Sequence, residues 1–65
     1  MLVTVNGERR ELAVDATVAD LLPDGAQGRG VAIALDGAVV PRSEWSKTEV
    51  HEGARVEIVV AVQGG

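Results

Sequence analysis

Residues 55–62 read Arg-Val-Glu-Ile-Val-Val-Ala-Val, and this segment constrains the fold more than any other. Val56, Ile58, Val60 and Val62 fall on one face at the two-residue period of a strand. The opposite face carries Val59 and Ala61 beside the charged Arg55 and Glu57. A strand apolar on both faces belongs at the centre of a sheet, paired along both edges.

Its neighbours can be read from the turns. Leu2-Val3-Thr4-Val5 is short and β-branched and stops at Asn6-Gly7, the strongest short-range hairpin signal, because a type I′ turn needs positive φ at both central positions. The return strand is expected over residues 9–14, with Leu12 and Val14 on one face. A second hairpin pairs residues 31–35 with 38–40 around Asp36-Gly37, and Pro41 blunts its end. Between the hairpins, Val18, Leu21 and Leu22 make one helical stripe, with Thr17 and Asp20 spaced as a capping box and Pro23 as the stop. Residues 23–30 read as a connecting loop. Ser43-Glu44-Trp45-Ser46 reads as a helical turn in a crossover, and His51-Glu52-Gly53 as a further turn.

The order is ββαββ plus a crossover, an α+β layer arrangement. If the strands at 2–5 and 55–62 lie parallel and adjacent at the centre, the result is the β-grasp arrangement of ubiquitin. The expected fold is therefore a mixed sheet of four to five strands with one short helix across one face. Residues 1–62 are expected to form this domain, and 63–65 a flexible tail.

Composition excludes several functions. A 65-residue chain without cysteine must hold together on aliphatic packing, with no disulfide and no Cys/His cluster for zinc. A formal net charge of −4 and Trp45 as the sole aromatic argue against nucleic acid and against an anionic membrane surface. No apolar run approaches the ~20 residues of a membrane span, and Met1-Leu2-Val3-Thr4 has no signal-peptide character, so a cytoplasmic protein is expected. Enzyme inventories fail too. There is no Cys nucleophile, His51 is a lone histidine in a polar turn, Ser43 and Ser46 lack a base, and the carboxylates are scattered.

The remaining chemistry is at the end, Gln63-Gly64-Gly65. Two glycines without side chains can thread a channel too narrow for any other dipeptide. They present one group, the Gly65 carboxylate. Resonance and charge protect a carboxylate from nucleophiles, so it becomes an acyl donor only once a good leaving group replaces an oxygen. Attack on the α-phosphate of ATP would supply that group, and a sulfur nucleophile could then displace AMP. The chain has neither an ATP site nor a cysteine, so both must come from partners.

With these residues in view the chain resembles the ThiS family of small sulfur carriers that feed thiazole formation in thiamine biosynthesis. The likeness rests on Val5-Asn6-Gly7-Glu8, the 31–37 segment Val-Ala-Ile-Ala-Leu-Asp-Gly, Val40-Pro41-Arg42-Ser43-Glu44-Trp45, Gly53 followed by Val56-Glu57-Ile58, and Ala61-Val62-Gln63-Gly64-Gly65. It implies a ubiquitin-like fold and a C-terminal thiocarboxylate. It also implies adenylation by a ThiF-like enzyme using ATP, sulfur from a persulfide donor such as a cysteine desulfurase, and delivery to a ThiG-like thiazole synthase. On that likeness Gly65 is the modified residue, and Gly64 and Gln63 give partners access to it. The chain departs from the family at Ala54, where Asp is frequent, at Asp36, where Asn is common, and at Pro23, which shortens the helix.

Partner docking is expected at Val59 and Ala61, since a two-layer fold leaves one sheet face uncovered and exposed apolar patches mark partner sites. Trp45 is read both as a cover for one end of the core and as a docking residue together with Arg42. Other readings are a carrier for molybdopterin or cysteine-type synthesis, a protein modifier, and an interaction module with an inert tail.

Overall fold

The computed structural model describes residues 1–22 and 30–61. Its first hairpin pairs β1 (Leu2–Val5) with β2 (Glu8–Glu11), antiparallel, in the register Leu2↔Glu11 to Val5↔Glu8. Asn6 and Gly7 take φ of +51° and +84°, as a type I′ turn demands. The second hairpin pairs β3 (Val31–Leu35) with β4 (Ala38–Val40), and Asp36 and Gly37 take φ of +50° and +90°. The last strand, β5 (Arg55–Val60), lies between the hairpins. The sheet order is β2-β1-β5-β3-β4, with β5 parallel to β1 and antiparallel to β3. The apolar final strand is central, as its composition required.

The helical element is a four-residue 3₁₀ turn, Val18–Leu21. Pro23 explains its brevity. A residue before proline is pushed out of the α region, and Leu22 sits at φ −61°, ψ 136°, already extended. The turn starts where expected, with the Asp20 carboxylate accepting the Thr17 N–H at 2.8 Å. Its start is tied to the crossover: Val18 N–H donates to Thr48 O at 2.9 Å and Ala19 N–H to Trp45 O at 3.1 Å. A second 3₁₀ turn, Arg42–Glu44, opens that crossover.

Val3, Val5, Ile33 and Val56 point from one sheet face into a single cluster, closed by Val18, Leu21, Trp45, Val50 and Ala54. Two sequence expectations are corrected at its margin. The return strand ends at Glu11 rather than residue 14, because Ala16 N–H bonds back to Ala13 O at 3.1 Å in a tight turn. Val14 stands on the outside of that turn, 87% exposed, while Leu12 packs against the core. The final strand ends at Val60, not residue 62. Val60 has the parity of Val56 and Ile58 but is 52% exposed, because it runs past the cover. Pro23, Val62 and the tail residues Gln63, Gly64 and Gly65 lie outside the described residues.

The two turn residues with positive φ do more than turn. β1 pairs with β5 only at Thr4↔Arg55 and Val5↔Val56, and Asn6 N–H adds one bond to Val56 O at 2.9 Å. There the backbone leaves for the hairpin. The Asn6 side chain continues in its place: Oδ1 accepts the Ile58 N–H at 2.8 Å and Nδ2 donates to Ile58 O at 3.1 Å. On the other edge Asp36 N–H donates to Arg55 O at 2.7 Å, and Asp36 Oδ1 accepts the Arg55 N–H at 2.9 Å, where a backbone carbonyl would otherwise serve. β5 is thus gripped on both edges by turn side chains that imitate a peptide group.

Leu21 is 1% exposed, so Leu21→Ala should cost about 2–5 kcal/mol in urea unfolding followed by Trp45 fluorescence. Val14→Ala, at a position 87% exposed, should stay within about 0.5 kcal/mol of the parent.

Candidate functional site

Strand alternation sends Thr4, Arg55, Glu57 and Val59 to the face opposite the core, and the registers place Ala32, Ala34 and Val39 there with them. Val59 lies directly opposite Ala32, and Ala34 opposite both Glu57 and Val39. Val59 is 65% exposed and Val39 74%. These residues form an apolar strip across β5, β3 and β4, close to where the chain leaves the sheet toward its end. Ala61 is exposed just beyond the strand. At the other end of the same face Arg9 and Arg55 flank Thr4 on its two neighbouring strands. Arg55 Nε lies 3.9 Å from Glu57 Oε1, a loose exposed pair worth little to stability.

Val59 and Ala61 were expected here, and both are exposed. Trp45 belongs elsewhere. It is 5% exposed, inside the core cluster, with its indole Nε1–H donating to Val40 O at 2.9 Å. Of its two readings the core one holds: an aromatic this large removes most apolar surface from water when buried, and its one polar group finds a carbonyl there. Arg42 is exposed on the crossover turn Arg42–Glu44. Val39 and the two alanines were missed. The alternation of 31–35 marks Ala32 and Ala34 as the face opposite Ile33, but Val39 joins them only through the β3–β4 register.

Backbone polarity adds a second feature. The bonds Asp36 N–H to Arg55 O and Ala61 N–H to Gly30 O, at 2.6 Å, show that odd-numbered residues of β5 face β3. Even-numbered residues face the β1 side, where Val56 O meets Asn6 N–H and Ile58 meets the Asn6 amide. The next such residue is Val60. Its N–H and C=O point past the end of β1, and no group among the described residues bonds them. An open strand edge of this kind pairs readily with an extended chain.

The lone histidine also has a place that sequence did not show. His51 Nε2 stands 2.6 Å from Asp36 Oδ2, and Nδ1 3.0 Å from Glu52 O. Hydrogen bonding to the Asp36 carboxylate, then to the Glu52 carbonyl, raises the His51 pKa above its ordinary 6.5. The Arg55 N–H, then His51, holds the Asp36 carboxyl below its usual range. Among the described residues no three acidic, histidine or cysteine side chains group as metal ligands, and no helix is long and apolar enough to cross a membrane.

A five-stranded mixed sheet with the first and last strands parallel at its centre is the β-grasp architecture of ubiquitin-like proteins. Within that class the ThiS family model matches residues 3–65, and the chain belongs to the ThiS family. It is similar to the sulfur carrier protein ThiS of Escherichia coli K12, at 29% identity over the whole of both chains. It is also 35% identical to a thiazole synthase of Paramagnetospirillum magneticum, matching over its full length but spanning only 20% of that protein. The crystal structure of the thiamine biosynthesis protein ThiS from Geobacter metallireducens covers all of this chain, with a TM-score of 0.80 and 33% identity.

The histidine contact makes a pH prediction. Because its folded pKa is raised, His51 stabilises fully below its unfolded value, and that contribution is lost as pH rises through the folded one. Asp36, with a lowered pKa, stabilises above the usual carboxylate range and loses that as pH falls through its folded value. The window therefore runs from just above about pH 4 to the raised His51 value. His51→Ala should lower the urea midpoint relative to the parent at about pH 5.5, with the gap closing toward about pH 8.5.

Proposed function

We propose that this ThiS-family chain carries sulfur for thiazole formation in thiamine biosynthesis as a thiocarboxylate on Gly65. The observation that carries the reading is the family match running through residue 65, over the Ala61-Val62-Gln63-Gly64-Gly65 end. A carboxylate oxygen of Gly65 attacks the α-phosphate of ATP on a ThiF-like enzyme, and pyrophosphate leaves. The terminal sulfur of a persulfide, formed by a cysteine desulfurase, then attacks the acyl carbon and AMP leaves. A thiol cleaves the resulting acyl disulfide and frees the thiocarboxylate. A ThiG-like thiazole synthase takes up the sulfur.

On this reading the chain is a co-substrate, not an enzyme, and binds no cofactor of its own. Gly64 and Gln63 supply slender passage to the adenylation site, and the protein works in the cytoplasm with its partners. The strip of Val59, Ala32, Ala34 and Val39, with Ala61 beside it, supplies the apolar docking area, and Arg42 adds a charge at the crossover. A tail ending in two glycines offers partners only main-chain groups to hold. The Val60 N–H and C=O, unbonded among the described residues, extend that same grip into the last strand.

With the cognate adenylating enzyme, ATP and a persulfide donor, intact-mass measurement should show one oxygen-for-sulfur exchange, mapping to Gly65. Removing Gly65, or extending the chain past it with a tag, should abolish the exchange and leave unfolding unchanged. Gly64→Val should fold normally and react poorly, because a β-branched residue is stiff where the channel is narrow. Val59→Asp should change stability by less than about 0.5 kcal/mol and raise KM for adenylation about tenfold or more. Exchange by the tagged protein without prior trimming to Gly-Gly would reject the carrier reading.

A further inference from the structure

Asn6 is the sole asparagine of the chain, and glycine follows it. That step invites an intramolecular reaction, because the nitrogen of a residue without a β-carbon is uncrowded. The Gly7 peptide nitrogen attacks Asn6 Cγ, a five-membered imide forms, the Cγ–Nδ2 bond breaks, and ammonia leaves with the Gly7 proton. Water opens the imide at either carbonyl, leaving aspartate or isoaspartate. The net change is water in and ammonia out, with no oxidant or reductant.

Nothing steric guards this step in the fold. Asn6 is exposed, and a β-carbon placed on Gly7 would meet nothing within 4 Å. What withholds the side chain is its bonding. Oδ1 accepts from Ile58 N–H at 2.8 Å and Nδ2 donates to Ile58 O at 3.1 Å, both directed across to β5. The turn, with φ of +51° and +84°, is fixed by the β1–β2 ladder on either side. Any rotation of the amide away from this geometry gives up its bonds to Ile58.

We propose that Asn6 is a fold-gated deamidation site: its grip on Ile58 keeps the amide from the Gly7 nitrogen, and each opening of the β1–β5 edge exposes it to conversion. The product does not restore the grip. A carboxylate still accepts the Ile58 N–H, but it has no N–H for Ile58 O and sets oxygen against oxygen. The isoaspartate form also lengthens the turn backbone by one carbon. A converted molecule therefore opens more easily at the strand that leads into the tail.

The full-length protein is incubated at mildly alkaline pH in native buffer, through a urea series, and in guanidinium, with intact mass and peptide mapping over time. The exchange of NH2 for OH should accumulate at Asn6 at least about tenfold more slowly in native buffer than in guanidinium, because opening limits it. Val56→Ala, which loosens β5 by removing core side-chain atoms and leaves the Asn6-Gly7 sequence itself unchanged, should react at an intermediate rate. If that variant does not fold, the urea series serves, and the parent's rate must climb with urea. Equal native and denatured rates, or a rate flat in urea, overturn the proposal. So does a mass change that maps to Gln27 or Gln63. The Asp36-Gly37 turn does not confuse the reading, because imide formation there loses and regains water without a change in mass. In N6D the Ile58 amide should exchange with deuterium several-fold faster, and unchanged Ile58 protection would also overturn the gating role.

Discussion

The structure depends on how one strand is held. β5 must sit between two hairpins, yet each hairpin has to turn away beside it. A backbone that reverses direction keeps at most its last N–H on the neighbour and leaves the next peptide groups of that neighbour to be met by something else. The conflict is settled by two side chains, Asn6 on one edge and Asp36 on the other, each left-handed at φ near +50° and each bonded to the β5 backbone. The two grips differ in kind. The Asn6 amide supplies a donor and an acceptor, so it serves both polar groups of Ile58. The Asp36 carboxylate supplies acceptors only, so one oxygen takes the Arg55 N–H and the other is left for His51.

With β5 fixed, the layers follow. One face of the sheet receives the 3₁₀ turn and the crossover, which deliver Val18, Leu21, Trp45 and Val50 onto Val3, Val5, Ile33 and Val56. A chain this short buries one face and leaves the other largely open. The open face is where Val59 and Val39 lie exposed, on the strand that leads to the Gly-Gly end and on its second neighbour. Core and exposed apolar strip thus share one strand, which leads on to the tail. Val56 and Ile58 face the core, and Val59 on the other face joins the strip. Its last peptide group on the β1 side, at Val60, has no partner among the described residues.

Much of the fold was legible because it rests on short-range rules. Asn-Gly and Asp-Gly fixed both turns, alternation fixed the buried face of 31–35 and 55–58, and Pro23 fixed the end of the helical element. The misreadings occurred where a neighbour decided. Val14 continues the alternation of Leu12, yet a turn closed by Ala16 and Ala13 carries it outward. Val60 has the right parity but outruns its cover. Trp45 offered two readings in sequence, and only the position of the Val40 carbonyl beside its indole separates them. The exposed apolar strip was half legible: Val59 stands out within its own strand, whereas Val39 depends on a register.

The sequence by itself determined the turns, most of the strand faces and the central place of the apolar final strand. Each of these follows from neighbouring residues through backbone sterics and side-chain period, which need no knowledge of the remaining chain. Only the tertiary structure decided that Asn6 would reach Ile58, 52 residues away, that Asp36 would reach Arg55, 19 away, and that His51 would find Asp36, 15 away. Those partners meet because packing brings distant segments together, and hydrogen bonds then form wherever a polar group would otherwise lose its partner.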